Sequence, residues 1–271
     1  MKTTTCRRRL AALTISGLAL VAPQLLAQAA GHPDFQGIWS GVFTTQDNEF
    51  WGVEDYACFV GCPPTGYEYL RALLDDPAND ARPVDELIGE MRGHVRAHLA
   101  SKFTPAGLKL QSAAGVAEDT VFDCQPYGFV RQTTNPLPLE IREEGDTLVF
   151  AYEEWNGVRT IYMNGSVPPL ELKGTLFGRS VGRYEGDVLV IETTDVGPDI
   201  FYSFMSGGGY SDQLRGVERY TLANGGRQLD LELTITDPVM LKEPVVFTKT
   251  WIATPELELL VDSCEDVPGR P

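Results

Sequence analysis

Between Leu229 and Thr236 the chain alternates without a break, with Leu229, Leu231, Leu233 and Ile235 on one side and Asp230, Glu232, Thr234 and Thr236 on the other. Alternation of period two is the signature of a strand with one wall in an apolar interior and one in water. Leu139 to Glu143, Thr147 to Glu153, Val158 to Met163, Leu176 to Tyr184, Val188 to Thr194, Leu214 to Thr221 and Val245 to Ala253 carry strand-like patterns as well, and the segment from Gly31 to Thr45 predicts a strand at the start. Between these runs stand Gly145-Asp146, Asn156-Gly157, Asn164-Gly165, Glu185-Gly186-Asp187 and Asn224-Gly225-Gly226, residues that accept the positive φ of hairpin turns. Successive hairpins make a meander, and closing a meander removes its exposed edges. The predicted fold is mainly β: an antiparallel up-and-down barrel of eight or nine strands.

From about residue 50 to 114 the period changes. Val84, Leu87, Ile88, Met91, Val95 and Leu99 recur at spacings of three and four, which predicts one apolar stripe on a helix begun by Pro83 and ended before Pro105 and Gly107. Tyr69, Leu70, Leu73 and Leu74 predict a shorter helix before Pro77. The section is expected to be a helical insertion in the barrel.

Lys2 and Arg7 to Arg9, the apolar run Leu10 to Ala22 and the small-x-small site Ala27-Gln28-Ala29 have the layout of a secretory signal peptide over residues 1–29, with a single β-barrel domain over 30–271. A periplasmic or secreted protein follows, exported by the general or the twin-arginine route. No later run has membrane-spanning length. The cysteines beyond the leader, Cys58, Cys62, Cys124 and Cys264, are even in number, so two disulfides are expected in an oxidising compartment. Three pairings are open; the chain proximity of Cys58 and Cys62 favours joining those two.

Charge narrows the partners. With 38 acidic against 22 basic residues and a net charge of -16, the chain repels a phosphate backbone, which excludes nucleic acid as a partner. Losing the leader would remove four basic residues and no acidic one.

Pro33-Asp34-Phe35-Gln36-Gly37-Ile38-Trp39, Cys124-Gln125-Pro126-Tyr127-Gly128, Val158-Arg159-Thr160-Ile161-Tyr162, Ser180 to Val190, Val217-Glu218-Arg219-Tyr220 and Ile235-Thr236-Asp237-Pro238 together resemble an uncharacterised family of secreted bacterial proteins. The resemblance covers most of the chain beyond the leader, and it implies compartment and fold without an activity. Gly37-x-Trp39 on a first strand is also similar to the opening of lipocalin-type barrels. Relatives often carry His where this chain has Arg179 and in the segment around Tyr210, so the resemblance implies no histidine-based chemistry here.

The candidate chemistry lies on the strands. Trp39, Tyr152, Tyr162, Tyr220 and Trp251 are large amphipathic side chains suited to a barrel mouth, with Arg183 and Glu218 as polar companions. Alternation with Leu214, Gly216 and Tyr220 points Glu218 inward, where a carboxylate needs a partner. The expected function is binding of a small, largely apolar molecule. The alternative is a cofactor-free barrel enzyme, an isomerase, cyclase or lyase, in which Glu218 and a tyrosine such as Tyr162 move a proton near Arg183. No cofactor or metal is expected, although Glu90, His94 and His98 fall at i, i+4 and i+8 on the long helix and are the weaker metal candidates. Gly178-Arg179-Ser180-Val181-Gly182 matches a nucleophile elbow, but a turn and another strand follow and no histidine lies beyond Ser180, so its glycines are read as bends in a barrel strand.

Overall fold

The computed structural model describes residues 31–41, 63–113, 125–135, 137–197 and 209–260. The leader and the four cysteines lie outside the described residues. The described residues from His32 onward belong to one compact unit.

Nine strands close into a barrel in chain order: β1 Gly37–Ser40, β2 Leu139–Glu144, β3 Thr147–Tyr152, β4 Val158–Tyr162, β5 Arg179–Glu185, β6 Val188–Thr194, β7 Arg215–Ala223, β8 Gln228–Thr236 and β9 Val245–Ala253. Strand β1 bonds to both β2 and β9, which completes the closure. The alternation that predicts β8 holds: Leu229, Leu231, Leu233 and Ile235 are buried inside, and Asp230, Glu232 and Thr234 face outward. The mainly β barrel, its strand count and its helical insertion are therefore as the hydrophobic pattern predicts.

One pair departs from the up-and-down pattern. Strands β4 and β5 run parallel, joined only at Ile161 with Ser180 and Tyr162 with Val181. Asn164-Gly165 does form a tight turn, with positive φ at both residues, but no hairpin follows it. Instead residues 163–178 return from the end of β4 to the start of β5 through a short turn of helix at Leu170–Leu172. The strand expected from Leu176 begins only at Arg179, after Gly178 turns at φ +60.

The insertion supplies helices α1 Pro64–Asp75, α2 Val84–Lys102 and α3 Pro105–Ala113. Proline sets φ for the first turns of α1 and α3, and Pro83 precedes α2. The predicted stripe of α2 is buried at Leu87, Ile88, Met91, Val95 and Leu99, packed with Leu70 of α1 in the common core. Thr104 Oγ1 donates to Val239 O at 2.7 Å and ties the end of α2 to the β8–β9 connection.

A fourth helix, α4 Phe129–Thr134, carries the site. All six of its residues are buried, because Phe129 descends into the barrel against Gly216 of β7. A Cβ at Gly216 would stand 2.4 Å from the Phe129 ring, so only glycine leaves room for the plug. Six residues without apolar periodicity, held by tertiary packing, give no helical signal in sequence.

Candidate functional site

Under Phe129 the inward positions of four strands are polar. Arg159 from β4, Ser180 from β5, Thr193 from β6 and Glu218 from β7 are each 2% exposed or less. Their registers bring them together: Ser180 pairs with Thr193 and Ile161 in the ladders, and Thr193 lies opposite Gly216, two residues before Glu218. The Arg159 guanidinium donates from Nη1 to Glu218 Oε1 at 3.0 Å and from Nη2 to Glu218 Oε2, a fork-to-fork ion pair. Its Nε donates to Ser180 Oγ at 2.9 Å and Nη2 also donates to Thr193 Oγ1 at 2.5 Å. Those bonds use four of the five guanidinium N–H groups. Tyr220 completes the carboxylate shell by donating its hydroxyl to Glu218 Oε1 at 2.8 Å. Phe129 covers the cation, with the Arg159 Cζ 4.7 Å from its ring centroid.

The neighbours of this cluster are buried polar atoms of a different standing. Among the described residues the Tyr152 hydroxyl, the Thr133 hydroxyl and Trp251 Nε1 have no hydrogen-bond partner. Tyr152 lies beside Arg159 and Thr133, and Trp251 lies 6.4 Å from the Tyr220 ring. Lys249, inward on β9 and 1% exposed, places its Nζ 4.6 Å from the Trp251 ring centroid.

Burial sets the electrostatics. It works against the Arg159 charge, but the Glu218 carboxylate more than offsets it and holds the guanidinium above its usual range. Burial, with Glu218 adding to it, pushes the Tyr220 phenol well up, and burial raises Tyr152. Burial alone pushes the Lys249 amine well below its usual value. The site is thus a neutralised ion pair ringed by protonated phenols.

Trp39, Tyr152, Tyr220, Trp251 and Glu218 are all buried, and Glu218 and Tyr220 share the face to which alternation along β7 assigns them. Trp39 donates its Nε1 to Phe35 O at 3.0 Å. Two of the expected group do not join them. Arg183 stands on the outer wall, where it bonds Glu185 and Glu192, because Ser180 and Gly182 take the inward positions of β5. Tyr162 is half-buried on the outer side of β4, since the inward positions there belong to Arg159 and Ile161. The arginine that meets Glu218 is Arg159, from the Val158-Arg159-Thr160-Ile161-Tyr162 stretch. Its signal is the alternation with Ile161, which sends both to one face. Lys249 between Phe247 and Trp251 carries the same signal.

On the helices, Glu90 accepts from Tyr69 Oη at 3.0 Å and from Arg82 Nη2 at 2.8 Å, and the His94 ring stacks on Tyr69 with centroids 4.0 Å apart. Among the described residues no group of three or more His, Cys, Asp or Glu is placed to hold a metal ion. Ser180 of the G-x-S-x-G stretch is spent on Arg159 and Thr193. Gly182 faces inward, where a Cβ would meet the Met163 Sδ at 2.3 Å. No helix among the described residues is long and apolar enough to cross a membrane.

The fold and cluster define a mainly β, lipocalin-like closed barrel with a buried polar centre. Neither the protein-family models nor the curated proteins contain a match to this chain.

Proposed function

We propose that this is a periplasmic or secreted binding protein of the kind suggested by the leader and the family resemblance, whose barrel takes up one small, largely apolar molecule. The observation that carries this reading is the set of buried, unpartnered polar atoms, the Tyr152 hydroxyl, the Thr133 hydroxyl and Trp251 Nε1, beside an ion pair that is already satisfied. Buried polar groups are nearly always hydrogen-bonded, and an unsatisfied one costs about 1–3 kcal/mol. Groups of this kind next to apolar walls suit a ligand that brings one polar atom of its own.

Proton transfer by Glu218 and a tyrosine has less support. Both carboxylate oxygens are held by Arg159 and one also accepts from Tyr220, while the raised phenols resist deprotonation. The test is a titration with Prodan, an uncharged naphthyl ketone whose emission shifts to the blue on leaving water. Saturable, blue-shifted emission at one molecule per folded chain is expected. Emission that stays at its value in water over the whole titration would overturn the binding function.

A further inference from the structure

The parallel β4–β5 contact is short, so Val158 to Thr160 on β4 lie beyond the paired residues of β5. Along that edge, between β4 and the 163–178 connection, runs a groove of about 340 Å³ lined in part by Val158, Arg159, Thr160, Tyr162, Leu172 and Phe177. Its volume lies at the low end of the small-molecule range, about 300–1,000 Å³. Four of the seven exposed large hydrophobic side chains among the described residues, Val158, Val167, Leu170 and Val181, stand on β4, β5 or the connection between them. Exposed apolar side chains concentrated in one stretch of an acidic chain, with Val158 on the rim of the groove, favour an apolar contact site there.

Groove and cluster share residues. Arg159 belongs to both, and the Phe177 ring lies 6.1 Å from that of Tyr152, stacked between the groove and the unpartnered phenol. Gly157 keeps the corner open to that ring, since a Cβ there would come within 3.3 Å of Phe177. Leu176 O accepts from Phe129 N, so the connection that carries Phe177 is tied to the α4 plug.

The charge of the cluster selects the ligand. Glu218 already cancels Arg159, so a carboxylate or phosphate arriving beside that pair would meet the Glu218 charge at close range. A carbonyl oxygen meets the Tyr152 and Thr133 hydroxyls, both able to donate.

We propose that the ligand is an uncharged, carbonyl-bearing apolar molecule that reaches the cluster through the β4–β5 seam, its body in the groove and its oxygen at Tyr152 and Thr133, with Phe177 as the gate. This rests on the binding function above and adds the route and the ligand class.

Stopped-flow mixing with Prodan tests the route. Phe177→Ala should raise the association and dissociation rate constants together, by about tenfold each. Phe177→Leu should give a smaller change in the same direction. Val158→Asp, at a side chain 56% exposed and so harmless to folding, should slow association about threefold by placing a charge on the apolar rim. Unchanged rates in all three, with wild-type binding intact, would overturn the seam as the route and leave the binding function standing. Absence of Prodan binding in the wild type would overturn both.

Competition against Prodan tests the class. Acetylnaphthalene should displace it about tenfold better than naphthoate, and Tyr152→Phe should narrow that preference. Equal competition, or a preference that survives Tyr152→Phe unchanged, would overturn the carbonyl assignment.

Discussion

Glu218 and Arg159 are each fully enclosed, and each is the other's only opposite charge within bonding distance among the described residues. Removing one partner of such a pair strands the other in a low-dielectric interior, at a cost of about 3–5 kcal/mol. Glu218→Gln should therefore lower the unfolding free energy by roughly that amount in urea titrations, and the double variant Glu218→Gln with Arg159→Met should recover most of it. A Glu218→Gln protein as stable as the wild type would show that the pair is not held as described. Lys249 behaves in the opposite sense. Burial depresses its folded value below the ordinary 10.5, so between that lowered value and 10.5 the unfolded chain binds a proton that the folded chain does not. Stability contributed by this group rises with pH across that window. Lys249→Met should flatten the rise in stability toward pH 10.5 measured by thermal unfolding in a pH series. A pH profile identical to that of the wild type would contradict the buried amine.

At the scale of elements, α4 plugs the barrel by setting Phe129 against Gly216. Gly216→Ala forces a methyl to within 2.4 Å of the ring, so it should destabilise by about 1–3 kcal/mol and loosen the plug, seen as faster amide exchange across Phe129–Thr134. Exchange unchanged from the wild type would contradict the plug. The strands of the barrel were legible in the sequence because each has one wall in the core and one in water, a contrast that alternation writes directly. Helix α2 was legible for the same reason at a period of 3.6. The β4–β5 crossover was not, because Asn164-Gly165 satisfies the local chemistry of a hairpin whether or not the next strand returns beside the last. The polar centre was half legible. Alternation turns Glu218 inward, but Arg183 lies on the outer wall of β5, and closure of the barrel brings Arg159 across from β4 instead. Helix α4 left no trace, since its six residues owe their form to what surrounds them.

The whole molecule is an acidic barrel, net charge -16, with a neutral polar centre and an apolar seam on one flank. Its charge predicts no retention on DNA at physiological ionic strength, and salt-sensitive retention there would contradict that reading. If the chain is exported as the leader suggests, Cys58, Cys62, Cys124 and Cys264 should be oxidised in pairs, and thiol titration of the denatured, unreduced protein should find none of them free. The measurement that bears most directly on the buried centre as a ligand anchor is the affinity of Prodan for Tyr152→Phe, a variant that keeps the ring and removes one of the two hydroxyls assigned to the ligand. The expected result is about fivefold weaker binding, the worth of one neutral hydrogen bond of about 1 kcal/mol, with an unchanged melting temperature. Affinity equal to that of the wild type, in a protein of equal stability, would contradict it.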